Sequence, residues 1–243
     1  GPDVRWCGNE HGGSRKAEWS SMPLKGNPTA RPTWKLIDAS WRAQNLGGRD
    51  KLKKADFVTW WPSEVDTSIR HGWFWRDAKQ HVRSAEEVFG IYERSVGSNA
   101  LLLLNVPPNR DGVFAARDTK VLLEVGKRIR ATYGKEAATL TKKDGMVFTF
   151  DKEAKINRCV IQEDIATHGQ RVEKHALDVW LNGQWKEIAT AETVGYKRIL
   201  RFADIKTTKI RLRILAQRLT AKISNVSVHY DKTPLRSPSI LRD

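Results

Sequence analysis

The hydrophobic positions of this chain change period once, near Thr141. Before that point they recur at helical spacing or in unbroken runs, and after it they alternate with polar residues. Residues 84–96 carry Val88, Ile91, Tyr92 and Val96 on one helical face, with Ser84 suited to the N-cap and Glu87 to a capping box. Residues 117–133 repeat that spacing through Val121, Leu122, Val125 and Ile129, and Gly97 and Gly134 can close the two helices. Between them, residues 99–105 form an apolar run flanked by turn residues, the pattern of a strand buried on both faces. Residues 57–61 are an earlier β-prone run, stopped by Pro62. Strand, helix, strand, helix in this order predicts βα units. The strands are too few to close a barrel or complete a sheet, so the expected domain is a partial one.

Beyond Thr141 the segments 146–150, 156–162, 172–181, 185–190, 196–202, 209–215 and 222–230 are short and mostly alternating. Asn182-Gly183 between two of them is a hairpin signal. Seven short strands at near-even spacing predict an antiparallel β-sandwich. The expected fold is therefore α/β followed by all-β, divided as 1–140, 141–232 and a tail over 233–243, with residues 135–145 as the linker.

Composition narrows the chemistry. A chain of 243 residues can bury a sizeable core, and no run of eighteen apolar residues predicts a membrane span. Two cysteines, Cys7 and Cys159, exclude a disulfide framework and a four-cysteine zinc site. The six histidines lack metal-ligand spacing, and phosphate-loop, dinucleotide and hydrolase-elbow motifs are absent, so neither a metal nor a cofactor is expected. The net charge of +15 divides almost evenly between residues 1–140 and 141–243 without a block of like charges. Phosphate contacts favour concentrated charge, so a general basic surface is the expectation and a nucleic-acid interface is not.

Three stretches could carry chemistry. The first nineteen residues set Asn9 and Glu10 between Trp6 and Trp19, supplying an acid, a donor and flat apolar faces. An apolar wall raises a carboxyl pKa and suits it to general acid catalysis, although an exposed loop Glu would show the same neighbours. Residues 60–75 then combine Trp60, Glu64, Asp66, Arg70, Trp73 and Trp75 after a predicted strand. Indole faces stack on sugar rings and the charged groups can bind hydroxyls. Aromatics filling a core beside solvated ion pairs account for the composition equally. Residues 105–112, Asn-Val-Pro-Pro-Asn-Arg-Asp-Gly, follow a strand as well and fit either a functional or a structural loop.

Together the segments GPDVRWCGNE and EWS at 1–20, WWPSEVDTSIRHGWFW at 60–75 and SVGSNALLLLNVPPNRDG at 95–112 resemble glycoside hydrolase family 29, the α-L-fucosidases. QEDIATHGQRV at 162–172 and VGYKRILRF at 194–202 extend the likeness over nearly the whole chain. His71 stands where the family usually has proline. The resemblance implies the C-terminal part of a (β/α)8-like barrel followed by a β-sandwich, in the subgroup acting on α-1,3/1,4-linked fucose. It implies a retaining mechanism in which an Asp attacks the anomeric carbon and a Glu acts as acid/base, here Glu10. Trp6, Asn9, Trp19, Trp60, Glu64, Trp73 and Trp75 are expected to bind substrate, a fucosylated oligosaccharide or glycoconjugate. The family nucleophile lies several dozen residues ahead of the G-N-E motif, so it and the N-terminal half of the barrel are expected outside this chain. The isolated chain should then hydrolyse little or nothing. The alternative is a carbohydrate-binding or structural remnant without catalytic activity. A periplasmic or extracellular location is what the resemblance implies.

Overall fold

A computed structural model describes residues 3–37 and 43–233 as a mixed α/β structure, mostly sheet. In chain order come strands β1 (Arg5–Trp6), β2 (Ser21–Lys25) and β3 (Lys35–Leu36), helix α1 (Arg49–Leu52), and strands β4 (Phe57–Trp60) and β5 (Ser63–Ser68). Helix α2 (Ala85–Ser95), strand β6 (Ala100–Asn105) and helix α3 (Ala116–Tyr133) follow. The anticipated capping box starts α2: the Ser84 side chain accepts from the Glu87 amide, and the Glu87 carboxylate accepts from the Ser84 amide.

β1, β5 and β6 form a parallel sheet in that spatial order. Val88 of α2 and Val121 and Val125 of α3 pack with Ile69 and Val82 into one core, joined by Leu104. In a parallel sheet, residues in register share a face, so Trp6, Glu64 and Leu101 lie side by side, as do Asp66 and Leu103. This face is open: Leu101 and Leu103 are 47% and 45% exposed. The leucine run anticipated as buried on both sides is thus covered on one. β2, β3 and β4 make a separate antiparallel sheet in the order β3-β2-β4. Pro23 inside β2 disguised that strand, because proline gives the ladder no N–H.

The second part contains β7 (Leu140–Asp144), β8 (Val147–Glu163), α4 (Ile165–His168), β9 (Val172–Leu181), β10 (Gln184–Ala191), β11 (Arg198–Gln217) and β12 (Ile223–His229). Its order is β10-β9-β11-β8-β12, with β7 also on β8. Among the described residues six strands stand where the sequence suggested seven. Two pairs of anticipated strands are continuous, as β8 and β11, and β7 occupies the second half of the supposed linker except its last residue. Register shifts interrupt the β8–β11 pairing, and both halves of β8 feed one core, through Phe148 and Phe150 and through Ile156, Cys159 and Ile161. The tail read over 233–243 lies outside the described residues apart from Thr233.

Polar groups bind the two parts together. The main-chain oxygen of Glu18 accepts from Asn99 Nδ2, Gln170 Nε2 and Thr193 Oγ1. Further along, fully buried Arg158 on β8 donates to Glu93 of α2 at 2.6 Å and lies 3.4 Å from Asp231. Glu93 also accepts from the Tyr133 hydroxyl, and Arg128 pairs with Asp231.

Candidate active site

The open face ends in a loop that the sequence shapes with two glycines. Gly8 and Gly12 take φ of 94° and 87°, the left-handed region where a side chain is strained. Between them Asn9 closes a turn: its Oδ1 accepts from the His11 amide and its Nδ2 donates to the Gly13 carbonyl at 3.0 Å. The second Nδ2 contact is Cys7 Sγ. The Asn9 side chain, expected to bind substrate, builds the loop in this structure.

The turn projects Glu10 beyond the C-terminal end of β1. Its backbone oxygen accepts from Thr67 Oγ1 at 2.8 Å, and its exposed carboxylate accepts from the Trp73 indole N–H at 3.0 Å. Trp73 comes from the loop after β5. Asn105, at the end of β6, donates to the Trp73 carbonyl at 2.8 Å and to Ser68 Oγ at 3.0 Å. Gln80 braces the same loop by donating to the carbonyls of His71 and Phe74 while its Oε1 accepts from Arg70 and the Arg76 amide. Trp75 is half-buried two residues beyond Trp73.

Behind Glu10, on the same face, Glu64 and Asp66 alternate along β5. Burial, a hydrogen bond with Glu64 and the charges of Glu64 and Glu10 push the Asp66 carboxyl up to about 6. Asp66 Oδ1 is buried without a hydrogen-bond partner among the described residues. Below about pH 6 the proton on Asp66 gives this face a donor beside its acceptors. Trp6 flanks them, 40% exposed and in register with Glu64.

Trp6, Glu10, Glu64 and Trp73 thus gather on or above one face, with Trp75 in the adjoining loop. Two predicted residues do not join them. Trp19 is 2% exposed, donates to Asn45 Oδ1 and lies under the Arg218 guanidinium at 3.4 Å, so it offers a ligand no free face. Trp60 precedes β5 and stands at its N-terminal end, opposite the Glu10 loop. The sequence treated residues 60–75 as one loop, and β5 divides it. Arg70, considered for hydroxyl binding, forms a buried ion pair with Asp118 at 2.9 Å. Residues 109–113 close on themselves through Asn109, whose Oδ1 accepts from the amides of Asp111 and Val113. The sequence offered Asn105 only as the first residue of the 105–112 stretch, without this bracing role, and gave no sign that the Asp66 pKa is raised. The position of Asn105 straight after a buried strand was the available signal.

Residues 42–135 match the family model described as Alpha-L-fucosidase. α-L-Fucosidase 1 of Arabidopsis thaliana is 29% identical over 272 residues, a match covering 96% of this chain and 50% of that protein. A Bacteroides ovatus protein provisionally named an α-L-fucosidase aligns with a TM-score of 0.86 and 36% identity, over 99% of this chain and 43% of its own. A Ruminococcus gnavus family 29 fucosidase, solved in complex with fucose, aligns with a TM-score of 0.74 at 25% identity, over 94% of this chain and 51% of its own. The chain spans about half the length of the curated relatives it matches.

Proposed function

We propose that this chain is part of an α-L-fucosidase of glycoside hydrolase family 29 and supplies the acid/base half of its retaining site. The observation that carries this reading is the Glu10 carboxylate, exposed above a parallel sheet and gripped by the Trp73 indole. Glu10 protonates the leaving glycosidic oxygen and afterwards takes a proton from the attacking water. An Asp nucleophile, about 5–5.5 Å from it for retention, comes from the half of the family's length that this chain does not span. Glu64 and Asp66 bind sugar hydroxyls, while Trp6, Trp73 and Trp75 offer rings to the C–H faces of the sugar.

In this reading residues 1–140 are the C-terminal part of a (β/α)8-like barrel and 141–232 a β-sandwich. The open face of Trp6, Glu64, Asp66, Leu101 and Leu103 is barrel interior that the remaining strands cover. The substrate is an α-1,3/1,4-fucosylated oligosaccharide or glycoconjugate, met in a periplasmic or extracellular setting.

The chain alone is expected to leave an aryl α-L-fucoside intact, since the covalent route lacks its nucleophile. Turnover by the chain alone, abolished in Glu10→Gln, would overturn the divided-site reading. Joined to the remainder of a family 29 enzyme it should turn over, and Glu10→Gln should lower kcat by about 100- to 10,000-fold. The loss should shrink for leaving groups that need no protonation. Equal losses for good and poor leaving groups would remove Glu10 from the acid role.

A further inference from the structure

Trp60 does not join the Glu10 face, and its ring lines something else. A cavity of about 610 Å³ opens between the sheet of β2 and β4 and the far end of β8, with Trp60, Tyr196, Gln162, Asp164, Ser21 and Ser224 among its lining residues. That volume lies within the range of small-ligand sites. Trp60 and Tyr196 are 47% and 63% exposed, so two large rings from opposite parts of the chain remain in solvent at one opening. No hydrogen bond holds the Trp60 indole N–H or the Tyr196 hydroxyl among the described residues.

The polar lining is ordered. Gln162 Nε2 donates to the Tyr196 carbonyl at 3.0 Å and its Oε1 accepts from Asn225 Nδ2, so the amide fixes the turn before β11 that carries the ring. Ser224 Oγ donates to the Gln162 carbonyl at 3.2 Å. The His168 imidazole 2.7 Å from Oδ2 and the Thr167 amide hold Asp164 below the usual carboxylate range. Each carboxylate oxygen keeps a lone pair for a further donor.

We propose that this cavity binds a neutral pyranose unit of a glycan. Flat rings suit the C–H faces of a sugar, and a carboxylate, an amide and two hydroxyls suit its O–H groups. Charge selects against the other small-ligand classes. In a chain of net charge +15, neither Lys nor Arg lines this opening, whereas Asp164 does, which disfavours phosphate, sulfate and carboxylate ligands. Lys197 lies against the Tyr196 ring, 5.8 Å from its centroid, and does not line the cavity. The site stands apart from Glu10 and does not rest on the fucosidase reading.

Saturation-transfer NMR and calorimetry on the whole chain, with D-galactose, N-acetyl-D-glucosamine, L-fucose and lactose as probes, test this. At least one probe should bind with about millimolar Kd, as a small ligand with few contacts does. Trp60→Ala should weaken that binding by about tenfold or more. Tyr196→Ala, at an exposed position that leaves the core intact, should weaken it too, and Glu10→Gln should not change it. Binding by none of the four saccharides overturns the proposal. Binding that survives both aromatic variants overturns it as well, and loss only in Glu10→Gln would assign the signal to the other face.

Discussion

The indole N–H of Trp73 donates to Glu10 Oε2 at 3.0 Å across sixty-three residues of sequence. Neither residue is held by that bond alone. Thr67 fixes the Glu10 backbone, and Asn105 fixes that of Trp73. The ends of β5 and β6 therefore determine where an exposed carboxylate points. Support of this kind keeps an acid in register with a bound substrate.

Trp73→Phe separates the donor from the ring. The variant should retain stacking area while losing the hydrogen bond, so in the completed enzyme kcat should fall by about tenfold, the lower range for a bond to a charged group. KM should move less. An unchanged kcat would show that the indole only packs against Glu10.

The acidity of Asp66 makes a stability prediction with a definite sign. Its folded value of about 6 lies above the ordinary aspartate value of 3.8, so the native state binds the proton more tightly than the unfolded chain does. The contribution is therefore fully present below pH 3.8 and is lost as pH rises through about 6. Asp66→Asn cannot ionise. It should gain thermal stability relative to the parent at pH 7.5, with the difference narrowing towards pH 4. A parent that gains stability relative to the variant between pH 4 and 7 would contradict the assigned shift.

Asp66 also shows what sequence alone conveyed. The helices 84–96 and 117–133 announced themselves because apolar residues three and four apart line up on one side of a helix and scatter over both faces of a strand. β5 did not, since Ser-Glu-Val-Asp-Thr-Ser looks like a polar loop. Its Ser, Val and Thr are buried, and its two acids stand on the face left open. A strand that displays carboxylates lacks the β-branched run that signals a strand. Glu10 was visible through its glycines and flanking tryptophans, but the fate of each tryptophan was not. Trp6 and Trp73 share the acid's surroundings, Trp19 is core and Trp60 belongs to another opening. Only the path of β5 between Trp60 and Trp73 separates them.

The buried cluster of Arg158, Glu93 and Asp231 should resist single truncation poorly. Arg158→Met leaves two buried carboxylates, although Tyr133 and Arg128 still partner them, and the expected cost is about 3 kcal/mol. Adding Glu93→Gln should recover part of that loss, because the second change removes a charge the first one stranded. Urea denaturation of the three variants measures both terms. Additive losses would mean that the pair is not coupled.

Gly12 joins the Glu10 loop to the helical core, and its replacement should act on both. Its φ of 87° already strains any side chain, and a Cβ there would lie 2.8 Å from Cγ1 of Ile91, which is 1% exposed. Ile91 cannot retreat without disturbing α2, so the loop must move outward instead. Gly112→Ala is the matched control, with φ of 77° and nothing within 4 Å of the new Cβ. It should cost about 1 kcal/mol from backbone strain alone. Gly12→Ala should cost about 2–3 kcal/mol, since overpacking adds to the strain. In the completed enzyme it should also reduce kcat, because the Thr67 and Trp73 bonds to Glu10 depend on where that loop stands. Equal stability losses in the two variants would show that Ile91 yields freely, and the link between the α2 core and the acid would then be absent.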